Sequence, residues 1–212
     1  MSKQLSPTQP GDVIGKISEA LRNFICARVP DVSTEASIMF DSPAAYDGAN
    51  EDRVSLYLYQ IELNPELRNA PETLSIEQGS RGAIAYPAPL AVDLMYMLVA
   101  YGKSSEQEQV IAANIVGLLD RCGCIPAEFV TSPTLTNSGN SQLWVVPQPA
   151  TIHTLRDLWA GFPNKAYHLT KLYTVSPVRL PAVGGRPVDV VLGVEVDAGV
   201  KRDPDRPQAV NS

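Results

Sequence analysis

Apolar positions follow two rhythms along this chain. From residue 12 they recur every three to four residues: Val13, Ile14, Ile17, Leu21, Phe24 and Ile25 share one helical face, with Arg28 closing the stripe. Asp12 is the expected N-cap and Pro30 the stop. Residues 35–40 read as a short strand and residues 41–50, with Pro43 and Gly48, as a loop. The rhythm then shortens to two. Between Arg53 and Leu63, Val54, Leu56, Leu58 and Gln60 lie on one face, and Ser55, Tyr57, Tyr59 and Ile61 on the other. Both faces are largely apolar, which predicts a central strand covered on both sides. The pattern breaks at Asn64-Pro65 into a turn that presents Glu66, Arg68 and Asn69.

Residues 71–88, with Gly79, Gly82 and Pro87, read either as a mobile loop or as a hairpin arm. Residues 89–102, PLAVDLMYMLVAYG, satisfy both rhythms: Leu90, Leu94, Met97, Leu98 and Tyr101 make a helical stripe, while Leu90, Val92, Leu94, Tyr96 and Leu98 alternate. The flanking prolines and the glycine stop tilt the stretch towards a buried strand. Residues 104–121 read as a helix, with Ser105 and Glu108 at capping-box spacing and Val110, Ala113, Gly117 and Leu118 on one face. Residues 125–141, rich in Pro, Ser, Thr and Asn, read as an exposed loop. A short strand over 142–146, a short helix over 151–161, a strand over 166–178 and a final strand over 188–196 complete the pattern. Residues 1–11 form an expected disordered lead and residues 197–212 an expected disordered tail, leaving one domain over 12–196 with no internal repeat.

The composition fits one α/β (α+β) domain of 212 residues. Hydrophobic residues make up 44% of the chain, enough for a core, whereas charged residues make up only 19%. A charge fraction that low is compatible with surface covered by a partner, and equally with a compact domain carrying Pro-rich loops. The net charge of −6 argues against a general nucleic-acid binder, which needs a basic footprint. The three cysteines, Cys26, Cys122 and Cys124, suit reduced thiols better than a disulfide framework. The N-terminus lacks the apolar core of a secretory signal, and the longest apolar stretch is too short to span a bilayer.

Catalytic chemistry finds little support. His153 and Asp157 stand four apart on the expected short helix, a spacing that is common by chance on a solvated face. His168 lies in an alternating strand, where packing is the simpler role. Cys122-Gly-Cys124 lacks two further ligands at a metal-binding spacing, so small apolar side chains at a helix end is the favoured reading. Neither a phosphate-binding glycine loop nor a nucleophile elbow is present. Asp93, an acid inside an apolar stretch, is the one carboxylate with catalytic interest. Without a base or nucleophile beside it, it reads as a structural hydrogen-bond acceptor. No enzyme, cofactor or metal site is expected.

Three separated segments carry a resemblance. LYLYQIELNPELRN (56–69), YPAPLAVDLMYMLVAYG (86–102) with the helix that follows, and LRDLWAGF (155–162) leading into AYHLTKLYTVSPV (166–178) together resemble the cap or tail-terminator proteins of phage-tail-like contractile injection systems. The resemblance covers roughly residues 14–180; Met95 and Cys122-Gly-Cys124 depart from the family pattern. It implies a single mixed sheet flanked by helices, which resolves residues 89–102 towards a strand. It also implies a homohexameric ring that closes the baseplate-distal end of the inner tube, stops its growth and anchors the last sheath layer. The implied partners are further copies of the chain, the inner tube protein and the sheath protein, without nucleic acid or membrane insertion. Assembly in the cytoplasm, followed by incorporation into the particle, is expected.

On that reading Asn64, Glu66, Arg68 and Asn69 are candidate assembly contacts, and Asp93, Tyr96 and Trp159 form a candidate structural motif. For Arg68 and Asn69 an internal tie that caps the turn stands as an equal alternative. A competing reading is a small-ligand or cell-envelope binding adaptor, motivated by Tyr57, Tyr59, Tyr96 and Trp159.

Overall fold

In the computed structural model, residues 9–46, 51–69, 71, 73–76, 82–182, 184 and 186–189 are described. Among these residues, four helices, α1 (Pro10–Arg28), α2 (Ser105–Cys122), α3 (Pro133–Asn137) and α4 (Ile152–Ala160), accompany nine strands. The strands are β1 (Ile38–Met39), β2 (Arg53–Leu63), β3 (Thr73–Ile76), β4 (Gly82–Tyr86), β5 (Leu90–Tyr101), β6 (Cys124–Ile125), β7 (Leu143–Pro147), β8 (Thr170–Leu180) and β9 (Arg186–Asp189). Six of them form the main sheet in the order β1-β2-β5-β8-β7-β6. Only the β1–β2 pair is parallel, so the sheet is mixed, as expected. A three-stranded sheet, β3-β4-β9, stands beside it as an arm.

The ambiguous stretch 89–102 is the strand β5, and burial explains the ambiguity. β5 pairs on one side with β2, from Arg53↔Tyr101 to Leu63↔Val92, and on the other with β8. Leu94, Tyr96, Leu98 and Ala100 enter the core under α1 and α2, while Met97, Val99 and Tyr101 pack with Trp159 and Leu172 on the opposite face. With both faces covered, apolar residues occupy consecutive positions and the period-two signal disappears.

Several local expectations shift. α1 begins at Pro10, a good first helical residue, with Gln9 as N-cap. Asp12 still serves the helix start, but from three residues inside it, where its carboxylate accepts from the Gln9 N–H. α2 is capped by Ser104, whose hydroxyl accepts from Gln107 N–H at 3.2 Å, rather than by Ser105 and Glu108. Its buried face is Ile111, Ile115, Leu118 and Leu119; Val110 is exposed, and Gly117 has open space where a side chain would be. The packed stripe is therefore one residue out of phase with the expected one, because the bulkier isoleucines take the core. Residues 35–37 form a single 3₁₀ turn before the two-residue β1, and β8 begins at Thr170 rather than at 166.

Residues 125–141 are not an exposed loop. They contribute the end of β6, a 3₁₀ turn and α3, and they bury Ile125, Val130, Leu135 and Asn140. The buried Asn140 side chain imitates a strand: its Nδ2 donates to Arg179 O at 2.7 Å and its Oδ1 accepts from Arg179 N–H at 2.8 Å. Polar composition concealed this segment because the amide is fully satisfied inside the protein. In the Cys122-Gly-Cys124 sequence, Gly123 ends α2 at φ +62, a left-handed position that favours glycine, and donates to Leu119 O.

β2 also departs from expectation. Val54, Ser55 and Leu56 are buried, but residues 60–63 are exposed. β1 pairs only with Val54 and Ser55, so the rest of β2 is a sheet edge and β5 is the covered centre. Within residues 71–88, β3 and β4 pair antiparallel as an arm. β9 supplies its third strand, and the expected continuation over 190–196 lies outside the described residues, as do 1–8 and the tail from 197. Leu94 is fully buried in the central strand. Leu94→Ala is expected to lower stability by about 2–5 kcal/mol, read as a reduced midpoint in urea denaturation.

Candidate assembly surface

The turn after β2 is anchored by a bulge in the sheet centre. The β5–β8 register shifts between Val92 and Leu94, and Asp93 sits at that irregularity. Its Oδ1 accepts from Ser176 Oγ at 2.5 Å and from Asn64 Nδ2 at 2.9 Å, joining β5, β8 and the end of β2. The other side of the Asn64 amide shapes the turn: Oδ1 accepts from the N–H groups of Glu66 and Leu67, each at 3.1 Å. Asn64 is thus an internal anchor, half-buried, while Glu66, Arg68 and Asn69 are exposed. Arg68 makes no hydrogen bond or ion pair among the described residues. Sequence reasoning placed Asn64 with the contacts and Asp93 with the framework; the fold joins them in one unit.

Tyr96 and Trp159 are not brought together. Tyr96 is fully buried beneath α1, where its hydroxyl shares a 2.7 Å hydrogen bond with Ser18 Oγ. Burial pushes its pKa up to about 12, with the Ser18 bond pulling weakly the other way. Trp159 lies on the opposite face and donates from Nε1 to Thr170 Oγ1 at 2.9 Å. Tyr57 meets Phe162 edge-on, and Tyr59 donates to Gln148 Oε1 at 2.8 Å. Each aromatic residue behind the adaptor reading is therefore engaged internally, and the four do not make a common binding platform.

The catalytic candidates disperse as well. His153 is exposed on α4, and Asp157 pairs with its neighbour Arg156 instead. His168 does have a role that the sequence concealed. Its Nδ1 lies 2.9 Å from Glu108 Oε2, and Glu108 Oε1 accepts from Leu169 N–H at 2.9 Å. The imidazole also meets the ring of Tyr101, which stacks on Tyr46 at 3.8 Å. This fastens the first turn of α2 to the start of β8; no sequence signal links positions sixty residues apart. Among the described residues, no three His, Cys, Asp or Glu side chains gather to hold a metal, and no helix is long and apolar enough to cross a membrane.

What remains open is sheet edge and sheet face. Ile61 and Leu63, on the outer edge of β2, are 49% and 53% exposed, and Trp144 and Val146 on β7 are similarly uncovered. A row of apolar side chains beside unpaired backbone groups is an association surface.

The model of the Pvc16 N-terminal domain matches residues 16–188. No curated protein matches the chain. Among solved structures, the chain resembles the sheath/tube terminator of PVC, an extracellular contractile injection system, in its extended state. The TM-score is 0.62 at 16% identity, over 98% of this chain and 67% of that one. It also resembles the tube-terminating cap of the anti-feeding prophage, with a TM-score of 0.57 at 17% identity, over 88% of this chain and 60% of that one. At these identities the likeness is one of fold, and this chain spans about two thirds or less of each relative's length.

Two outcomes test the internal bonds. In a double-mutant cycle, Asn64→Ala and Asp93→Ala are expected to show a coupling of about 0.5–3 kcal/mol in chemical denaturation. Tyr96 has a raised pKa in the folded state, so its contribution is complete below about pH 10 and is lost as pH rises towards about 12. Stability of the Tyr96→Phe variant is expected to fall less steeply across that window in pH-dependent melts.

Proposed function

The chain belongs to the Pvc16 N-terminal domain family, and from that premise we propose that it is the structural cap of a contractile injection system. It binds the baseplate-distal end of the inner tube, blocks addition of a further tube layer, and anchors the last layer of sheath. The observation that carries this reading is likeness of fold, across nearly the whole chain, to one sheath/tube terminator and one tube-terminating cap. The role is one of binding rather than catalysis, consistent with the dispersed titratable groups.

The cap works as a ring of identical copies, a homohexamer matching the symmetry of the tube. A closed ring needs two different complementary patches on each subunit. The open β2 edge and the projecting arm lie at the same end of the main sheet, and they provide two such unlike surfaces. The turn carrying Glu66, Arg68 and Asn69 meets the tube. It suits that task because Asn64 and Asp93 fix it to the sheet centre, so little order has to be gained on binding. Sheath contacts fall to the outer surface. The net charge of −6 gives no footprint for nucleic acid. Assembly takes place in the cytoplasm, after which the cap stays with the particle.

Electron microscopy of particles assembled with and without the chain tests the proposal. Tubes of variable length without it are expected; uniform, capped particles in its absence would reject termination. Arg68→Glu is expected to reduce tube-end binding at least tenfold in a pull-down while leaving the thermal midpoint unchanged. A lowered midpoint with intact binding would make Arg68 an internal tie instead.

A further inference from the structure

The outer edge of β2 has the chemistry of a strand acceptor. Asn64 N–H donates to Ala91 O, so Asn64 faces β5; by alternation Glu62 does too, and Ile61 and Leu63 turn their N–H and C=O outward. No strand meets them among the described residues. Natural edges are usually blunted by lysine, proline or shortness. Residues 58–63, LYQIEL, contain neither lysine nor proline, and Ile61 and Leu63 are about half exposed. The Tyr59 bulge interrupts the edge only at its start.

The same chain offers a donor. β9 runs antiparallel to β4, with Arg186 opposite Ala85 and Asp189 opposite Gly82. Tyr86 marks the base of the arm, next to β5, so Asp189 lies at the far end, roughly 14 Å out at about 3.4 Å per residue. Twenty-three residues follow Asp189, and the first seven, VVLGVEV, are rich in β-branched side chains. No Gly, Pro, Asn, Asp or Ser stands between Asp189 and Gly193, so the composition suits an added strand. Seven residues span about 24 Å, enough to line the six-residue edge.

We infer that residues 190–196 of one copy add as a strand to the residue 58–63 edge of β2 in a second copy. This pairing rests on the ring reading above and supplies its heterologous interface: the segment that follows the arm as donor, the β2 edge as acceptor, two unlike patches on each subunit. Valines 190, 194 and 196 alternate with Leu192, so the added strand can lay an apolar row against Ile61 and Leu63.

Two full-length variants test it. Ile61→Pro removes an outward donor and leaves the β5 ladder intact; Leu63→Pro repeats the test should the first variant melt below wild type. Val191→Pro/Leu192→Pro removes a donor from the segment whichever register parity it adopts. Each variant alone is expected to lose rings on tube ends. Mixed one to one, they retain one intact edge and one intact segment, so native mass spectrometry is expected to find a heterodimer that grows no further. Loss of rings with no heterodimer overturns pairing between copies. Wild-type rings from either variant overturn the inference while leaving the cap reading intact. Wild-type protein that forms no ring refutes the cap reading, and the heterodimer still decides the pairing.

Discussion

Everything in this fold answers to one constraint: β5 is a twelve-residue strand whose side chains are mostly apolar on both faces. Such a strand is stable only where both edges are paired and both faces are covered, since an uncovered face or unpaired backbone inside the protein costs free energy. β2 and β8 pair its edges almost end to end. α1 and α2 cover one face and α4 the other, each through an apolar stripe matched to alternate β5 side chains. The few polar groups in these layers are paired across them, as Tyr96 is with Ser18 and Trp159 with Thr170.

The one charge in β5 sits where that arrangement is interrupted. Asp93 occupies a bulge, and its carboxylate ties Ser176 within β8 to Asn64 at the end of β2, near the point from which the turn departs. A carboxylate suits this place because one oxygen can accept two hydrogen bonds where the ladder has lost its regular partners. The consequence reaches the surface. A turn hung on the sheet centre holds Glu66 and Arg68 in fixed positions, and a fixed surface loses less entropy on docking than a mobile one.

Assembly also gives a physical reason for features that are awkward in a solitary domain. The low charge content, the half-exposed Ile61 and Leu63 on an open edge, and the uncovered Trp144 and Val146 are liabilities for a protein in free solution. In the proposed cap, covered by copies of itself, by tube and by sheath, they would be the contact surfaces.

Rhythm and punctuation were sufficient for α1, α2, α4, β2, β7 and β8, because each has one face or flank whose period survives in the sequence. The resemblance of three segments was needed to make β5 a strand, since burial on both faces erases the period. Polar composition misled at residues 125–141, where Asn140 is buried and paired with the Arg179 backbone, and where Ile125 joins the main sheet through β6. The exposed turn at Glu66 and Arg68 was legible from Asn64-Pro65 alone. By itself, then, the sequence determined the helices and strands that keep an exposed face or flank, and the turn at Asn64-Pro65, because those depend on neighbours a few residues away. Only the tertiary structure decided that β2 is an edge, that Asn64 and Asp93 form one anchor, and that Glu108 meets His168. These depend on which distant segments pack together, and local periodicity carries no record of that.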